Sequence, residues 1–207
     1  MSMTDDMYDV LRGAMLGDGS LLIRKRCVNA YFSYTSKSLQ HVQFVGKYFE
    51  DYKSGKGYFN ADFYDKRTQK YYHKNTFVTN NSVTLTEEMN KWYVDNIKHI
   101  PSDLVLTPLM CLVWYLGDGG LNNDPTSNSQ TIQLATNCFE KEEIEDILLP
   151  QLSQFDARIC KNGVGKNNQK QHYQIKIYKK ENVEKFLKYI GPCPFDDYAY
   201  KWELKSS

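Results

Sequence analysis

Two short segments constrain this chain more than any other feature. Leu11-Arg12-Gly13-Ala14-Met15-Leu16-Gly17-Asp18-Gly19 and Cys111-Leu112-Val113-Trp114-Tyr115-Leu116-Gly117-Asp118-Gly119 each read as the end of an apolar helix halted by Gly-Asp-Gly. A single Gly-Asp-Gly would be an ordinary helix stop followed by a turn. Two at matching places, with aspartates 100 residues apart, point to a duplicated chain.

The residues between the two segments repeat in the same way. The first segment closes a helix over 4–16, with Thr4 placed to cap it and Asp5 and Asp6 suited to its positive end. Met7, Tyr8, Leu11, Ala14 and Met15 form its apolar stripe. Gly13 and Gly17, four apart, leave a bare face that lets another helix come close. Strands are expected at 20–26 and 28–35, then a helix through Leu39, Val42, Val45 and Phe49. Strands at 57–64 and 71–79 precede a helix marked by Leu85, Met89, Trp92 and Tyr93.

In the second half, Thr107 reads as an N-cap and Pro108 as the first residue of a helix through Leu116. That helix is apolar nearly all round and is expected to be buried on most sides. A polar loop over 122–128, a strand at 131–135 and a helix from Glu140 to about Phe155, bent or interrupted at Pro150, come next. Strands at 157–161 and 172–178 and a helix carrying Val183, Phe186, Leu187 and Ile190 complete it. The expected fold class is α+β, with two pseudo-symmetric αββαββα lobes over 1–100 and 101–207. A duplication of this kind places a shared function at the junction.

Composition excludes several alternatives. A chain of 207 residues can bury a core without disulfide staples or structural metal. Its 41% hydrophobic and 25% charged residues exclude wholesale disorder, and no apolar run reaches the roughly 18 residues of a membrane span. The acidic start (Asp5, Asp6, Asp9) is unlike a signal or transit peptide. Five cysteines without a CxxC pair argue against a disulfide framework or zinc knuckle and for a reducing compartment. Abundant Lys, Asn and Tyr fit an AT-rich genome, organellar or viral.

The net charge of +1 hides a segregation. The stretches 20–37, 66–74 and 158–180 hold four, four and seven lysines and arginines with no acid, whereas 140–146 carries five acids against one lysine. A neutral chain arranged so can present a basic face to a phosphate backbone.

If the two motif helices pack on each other, Asp18 and Asp118 emerge side by side. Adjacent carboxylates repel and are best held by shared hard divalent cations, commonly Mg²⁺. The chemistry this suits is phosphodiester hydrolysis, with metal activating water on one side and stabilising the leaving oxygen on the other.

The paired segments resemble the motifs of the LAGLIDADG homing endonucleases, in the single-chain, two-repeat branch. The similarity extends to Trp92-Tyr93, Lys98-His99-Ile100-Pro101, Leu106-Thr107-Pro108 and the closing Tyr200-Lys201, from about Tyr8 to Leu204. It implies saddle-shaped antiparallel sheets with the motif helices at the lobe interface. By the same resemblance Asp18 and Asp118 are the catalytic metal-binding acids, with Gly17 and Gly117 beside the metal. Two or three Mg²⁺ ions would be shared there, replaceable by Mn²⁺. Lys98 is the matching basic residue in the first lobe, and Lys170 is the expected one in the second, where the match falls near His172 or Tyr173.

Three departures stand out: Arg12 for a small residue, Val113 for a small or aromatic one, and Gly117 where this branch often has a second acid. Recognition falls to the strands, whose alternation lets one face pack while the other meets DNA. Arg24, Arg26, Lys37, Lys66, Arg67, Lys70, Lys74, Arg158, Lys161, Lys166 and Lys176 lie in these segments. The expected activity is cleavage of a long, near-asymmetric DNA duplex by a monomer, with no membrane partner. An intron-RNA maturase and a non-cleaving DNA-binding regulator on the same fold are the competing readings.

Overall fold

The computed structural model describes residues 2–66, 68–123, 129–164 and 171–205. Arg67, Lys166 and Lys170 lie outside the described residues. The chain runs α1 (Asp5–Leu16), β1 (Ser20–Ile23), β2 (Ala30–Ser36), α2 (Leu39–Gly46), β3 (Lys53–Asp65), β4 (Lys70–Thr79), α3 (Val83–Trp92), β5 (Tyr93–Val94) and β6 (Ile97–Lys98). It continues through α4 (Pro108–Asp118), β7 (Gly119–Asn123), β8 (Gln130–Ala135), α5 (Lys141–Glu143), α6 (Leu149–Gln151), β9 (Ala157–Val164), β10 (Gln171–Ile177) and α7 (Lys180–Ile190). A 3₁₀ segment, Asp196–Trp202, closes it.

The two large sheets are antiparallel and have the same order, β1-β2-β4-β3 and β7-β8-β10-β9. Each strand of the second therefore takes the place of its counterpart in the first. Caps form as the side chains dictate: Thr4 Oγ1 accepts the Met7 amide at 3.3 Å and Thr107 Oγ1 accepts the Met110 amide at 3.1 Å. Among the described residues no helix is long and apolar enough to cross a membrane.

Three local features differ from the sequence expectation. Gly119–Asn123 is a strand, β7, where a loop was expected from 122 onward. Gly-Gly-Leu-Asn-Asn has little intrinsic strand preference; pairing with β8, with Leu121 opposite Ile132, imposes it. Tyr93 belongs to the β5–β6 hairpin rather than to α3, and Asp95 and Asn96 both take positive φ (50° and 62°) at its turn. Such a two-residue turn matches the twist of the strands it joins. The helix broken at Pro150 adjusts one turn earlier. Ile144–Leu148 widens to π geometry, and the Leu149 amide reaches back to the Ile144 carbonyl. This relieves the ring and the missing N–H of the proline.

The centre of the molecule is the contact of α1 with α4. Residues Met110 to Leu116 are all buried, as are Val10, Leu11, Ala14, Met15 and Leu16 facing them. Gly13 is the point of closest approach: a Cβ there would lie 2.5 Å from the Met110 carbonyl oxygen and 2.9 Å from Val113 Cβ. Arg12 points away from this contact. Its guanidinium grips the buried Glu88 of α3 with two hydrogen bonds, at 2.8 and 3.0 Å, a fork geometry that a small residue could not supply. The same Glu88 and Asp103 hold Lys91 at 3.2 and 3.1 Å, fastening the segment before α4 to the first lobe.

Gly13→Ala is expected to destabilise the protein by about 1–3 kcal/mol through overpacking, lowering the thermal midpoint by several degrees, and Gly13→Leu to prevent folding. Circular-dichroism melts check this; an unchanged midpoint in both variants would show that the helices do not meet at Gly13.

Candidate active site at the helix crossing

Both motif helices end at the same place, and their aspartates are exchanged crosswise. A Cβ on Gly17 would meet Asp118 at 3.6 Å, and one on Gly117 would meet Asp18 Oδ2 at 3.9 Å. Each carboxylate thus stands beside the glycine of the other motif. Asp118 is the last residue of α4, whereas Asp18 lies in the turn beyond α1. Burial raises the pKa of both. For Asp118 the neighbouring Asp18 charge adds to burial, and the value climbs from 3.8 to about 6. Asp18 is exposed on its groove side but packed behind; burial raises it, with Lys98, Lys201 and Lys74 opposing.

A lysine closes each helix end. Lys98, presented by β6, donates to the Gly17 and Gly19 carbonyls, both at 3.3 Å. Lys201 donates to the carbonyls of Leu116 at 2.7 Å, Gly119 at 2.8 Å and Tyr115 at 3.1 Å. Unsatisfied carbonyls and the negative helix end favour a cation there. Burial pushes both ammonium pKa values down, Lys201 to about 8, and both aspartates resist the shift. Lys201 occupies in the second half the position that Lys98 occupies in the first. The sequence reading singled out Tyr200-Lys201 without giving it a role and placed the second basic residue at Lys170. The signal for Lys201 was there: it follows Lys98 at nearly the motif spacing.

Two cavities flank the aspartate pair. One, of about 390 Å³, is lined by Asp18, Asp118, Lys98, Tyr93, Asn137 and Cys138, among others. The other, of about 380 Å³, is lined by Asp18, Thr35, Ser36, Lys37, Lys74 and Tyr198. Strand register makes the walls equivalent: Thr35 corresponds to Ala135, Lys37 to Asn137 and Lys74 to His172. The Asp18 cavity therefore carries two lysines where the other side has an amide and a histidine.

Register also sorts the basic residues. Lys37, Lys70 and Lys74 share the face of the first sheet that opens on Asp18, as Arg158 and Lys176, directly opposite each other, share the matching face of the second. Lys37 lies over the Tyr72 ring at 4.8 Å and Lys74 over Phe63 at 4.4 Å. Lys161 faces the other way, since its partner Tyr173 packs on the core. Lys161, one of the residues expected to contact DNA, thus lies on the opposite sheet face from Arg158 and Lys176; one residue of strand alternation separates it from Cys160. Arg24 lies 3.9 Å over the Tyr31 ring and bonds to Asn81, while Arg158 pairs with Asp156 at 3.1 Å. Arg26 and Lys66 are exposed in turns.

Among the described residues no group of three His, Cys, Asp or Glu gathers anywhere. The carboxylates at the crossing are Asp18 and Asp118, and the Gly17 carbonyl lies beside them. Lys98 already shares the Gly17 carbonyl, and Lys201 leaves Gly117 out of its set. Such a sparse, all-oxygen set suits Mg²⁺, which keeps several waters and takes few protein ligands.

Comparison with known proteins agrees with this architecture. A solved structure of the homing endonuclease I-WcaI bound to its DNA recognition sequence superposes over 100% of this chain and 89% of that one, with a TM-score of 0.82 at 19% identity. The N-terminal LAGLIDADG domain of DUF199/WhiA matches at a TM-score of 0.51 and 11% identity, covering 94% of this chain and 88% of that one. An uncharacterized protein of Methanocaldococcus jannaschii, MJ1098, is 27% identical over 200 residues, 92% of this chain and 71% of its own. The profile of the LAGLIDADG DNA endonuclease family matches residues 8–186. The chain belongs to the LAGLIDADG DNA endonuclease family.

Proposed function

We propose that the protein, acting as a single chain, cuts both strands of a long, near-asymmetric DNA duplex by hydrolysing one phosphodiester on each, with Mg²⁺ as its cofactor. The observation that carries this reading is the crosswise aspartate pair at the helix crossing, with one lysine buried at each helix end. A bound divalent ion would supply a polarised water and stabilise the leaving oxygen. Asp18 and Asp118, with the glycine carbonyls, would hold it, and Mn²⁺ would substitute.

The chain's own contribution is placement and charge. Lys98 and Lys201 are held by backbone carbonyls, so each ammonium stays fixed beside its carboxylate and offsets charge developing on the phosphate. Lys37, Lys70, Lys74, Arg158 and Lys176 line the sheet faces that open toward the duplex, where phosphate contacts fix register and base contacts confer specificity.

Asp18→Asn is expected to abolish double-strand cleavage while leaving binding within about threefold, because it removes a metal ligand and no phosphate contact. The substrate is a plasmid carrying the duplex formed by joining the sequences that flank the coding region. Linearisation at the wild-type rate would overturn the assignment. Intron RNA bound more tightly than this duplex in gel shifts would favour the maturase reading instead.

The raised carboxyl pKa values give a second expectation. Folding favours the protonated form of Asp118, so its penalty is absent below the unfolded value of 3.8, grows as pH rises toward about 6 and is complete above that. In EDTA at pH 7.5, Asp118→Asn is therefore expected to melt on the order of a few degrees above wild type. Mg²⁺ should raise the wild-type midpoint and not the variant's. A variant that melts lower in EDTA would show that the two carboxylates do not strain the fold.

Binding should weaken steeply with salt despite the net charge of +1. With about six phosphate contacts the log–log slope is roughly −5, a loss of about a thousandfold between ~50 and ~200 mM salt. Neutralising Lys74 and Lys176 together should reduce the slope by about 2, and Lys161→Ala should leave it unchanged. Filter binding in Ca²⁺, which holds cleavage off, measures this; a flat slope would place the DNA-binding face elsewhere.

A further inference from the structure

Behind the Asp18 cavity lies a polar pair that the duplication does not repeat. Tyr34 of β2 is fully buried, and its hydroxyl sits 2.9 Å from Nε2 of His41 on α2. His41 is also fully buried, with Tyr34 edge-on at 5.1 Å and Tyr198 and Phe195 walling it at 5.1 and 5.5 Å. The equivalent of Tyr34 in the second sheet is Leu134, which faces Ile175 as Tyr34 faces Phe77. That half has no hydroxyl there.

The imidazole's own hydrogen bonds decide where the tyrosine hydrogen points. Burial, aided by the nearby Lys201 charge, lowers the His41 pKa to about 3, so the ring is neutral and carries one N–H. Its Nδ1 has no hydrogen-bond partner among the described residues. A proton on Nδ1 would leave a buried donor orphaned, which proteins tolerate less well than an unfilled acceptor. The proton therefore sits on Nε2 and is donated to the Tyr34 oxygen. The tyrosine's own O–H must then point elsewhere. The side of Gly117 that bears no side chain faces it: a Cβ there would lie 3.4 Å from the Tyr34 hydroxyl and 3.9 Å from Asp18 Oδ2, so hydroxyl and carboxylate flank the same bare glycine.

We propose that Tyr34 is a positioning residue for the Asp18 half of the catalytic centre. His41 Nε2–H fixes its hydroxyl so that the O–H dipole is directed at the Asp18 carboxylate on the bare side of Gly117. Only one of the two strand-cutting sites has this donor. The inference rests on the endonuclease reading above.

The test follows each strand separately on the joined-flank plasmid in Mg²⁺, with the two strands labelled at different ends. Tyr34→Phe is expected to slow one strand at least tenfold and leave the other within twofold, so that nicked circles accumulate. DNA affinity in Ca²⁺ and the thermal midpoint should stay near wild type. His41→Leu, which removes the donor, should reproduce this pattern. His41→Gln should restore cutting, because a carboxamide N–H can still donate to the Tyr34 oxygen. Unchanged rates on both strands in Tyr34→Phe would overturn the positioning role. So would equal slowing of both strands, or a His41→Gln no better than His41→Leu. Wild-type protein that cuts neither strand would instead overturn the endonuclease reading itself.

Discussion

The close crossing of α1 and α4 is the constraint on which the rest of the molecule depends. Helices carrying ordinary side chains at the contact pack with their axes about 8–10 Å apart, and Gly13 against the Met110 carbonyl allows an approach that any Cβ would block. Because the helices touch there, their ends converge. Because the ends converge, two carboxylates are forced into one space that neither would choose alone. The apolar mass on both sides of the crossing supplies the stabilisation that offsets this repulsion. Charge frustration at the site and hydrophobic density behind it are two aspects of one arrangement.

The buried lysines follow from the same geometry. Helix ends inside a protein leave carbonyls without partners, and here those ends also lie beside two carboxylates. Lys98 and Lys201 satisfy the carbonyls and balance the carboxylates, and Arg12 with Glu88 is a second charge pair, placed away from the aspartates. The departure at Arg12 thus has a physical account: its side chain leaves the crossing and anchors α3, so the helix contact never meets it.

Much of this was legible because the relevant signals are local. Gly-Asp-Gly, the capping threonines, Pro108 and the apolar periodicity all act within a turn or two, so α1, α4 and the motif aspartates could be placed from sequence. What escaped was set by partners distant in the chain. β7 is a strand because β8 lies beside it, and Lys201 matters because the end of α4 lies above it. The β5–β6 turn was missed because Asp95 and Asn96 reveal their backbone preference only once the flanking strands are known. The face that Lys161 takes was not legible because alternation cannot be counted until the register with Tyr173 is fixed.

The crosswise placement of the aspartates has an evolutionary consequence. Each carboxylate rests beside the other repeat's glycine, and the Lys98 cavity takes its remaining wall from Asn137 and Cys138 across the junction. Under the function proposed above neither repeat contains a whole site, so the two copies are obligate collaborators that cannot diverge separately at the crossing. Their outer strands are under no such bond. Lobes drawn from different ancestors could therefore be recombined to read new composite sequences, provided that the few residues at the seam travel together.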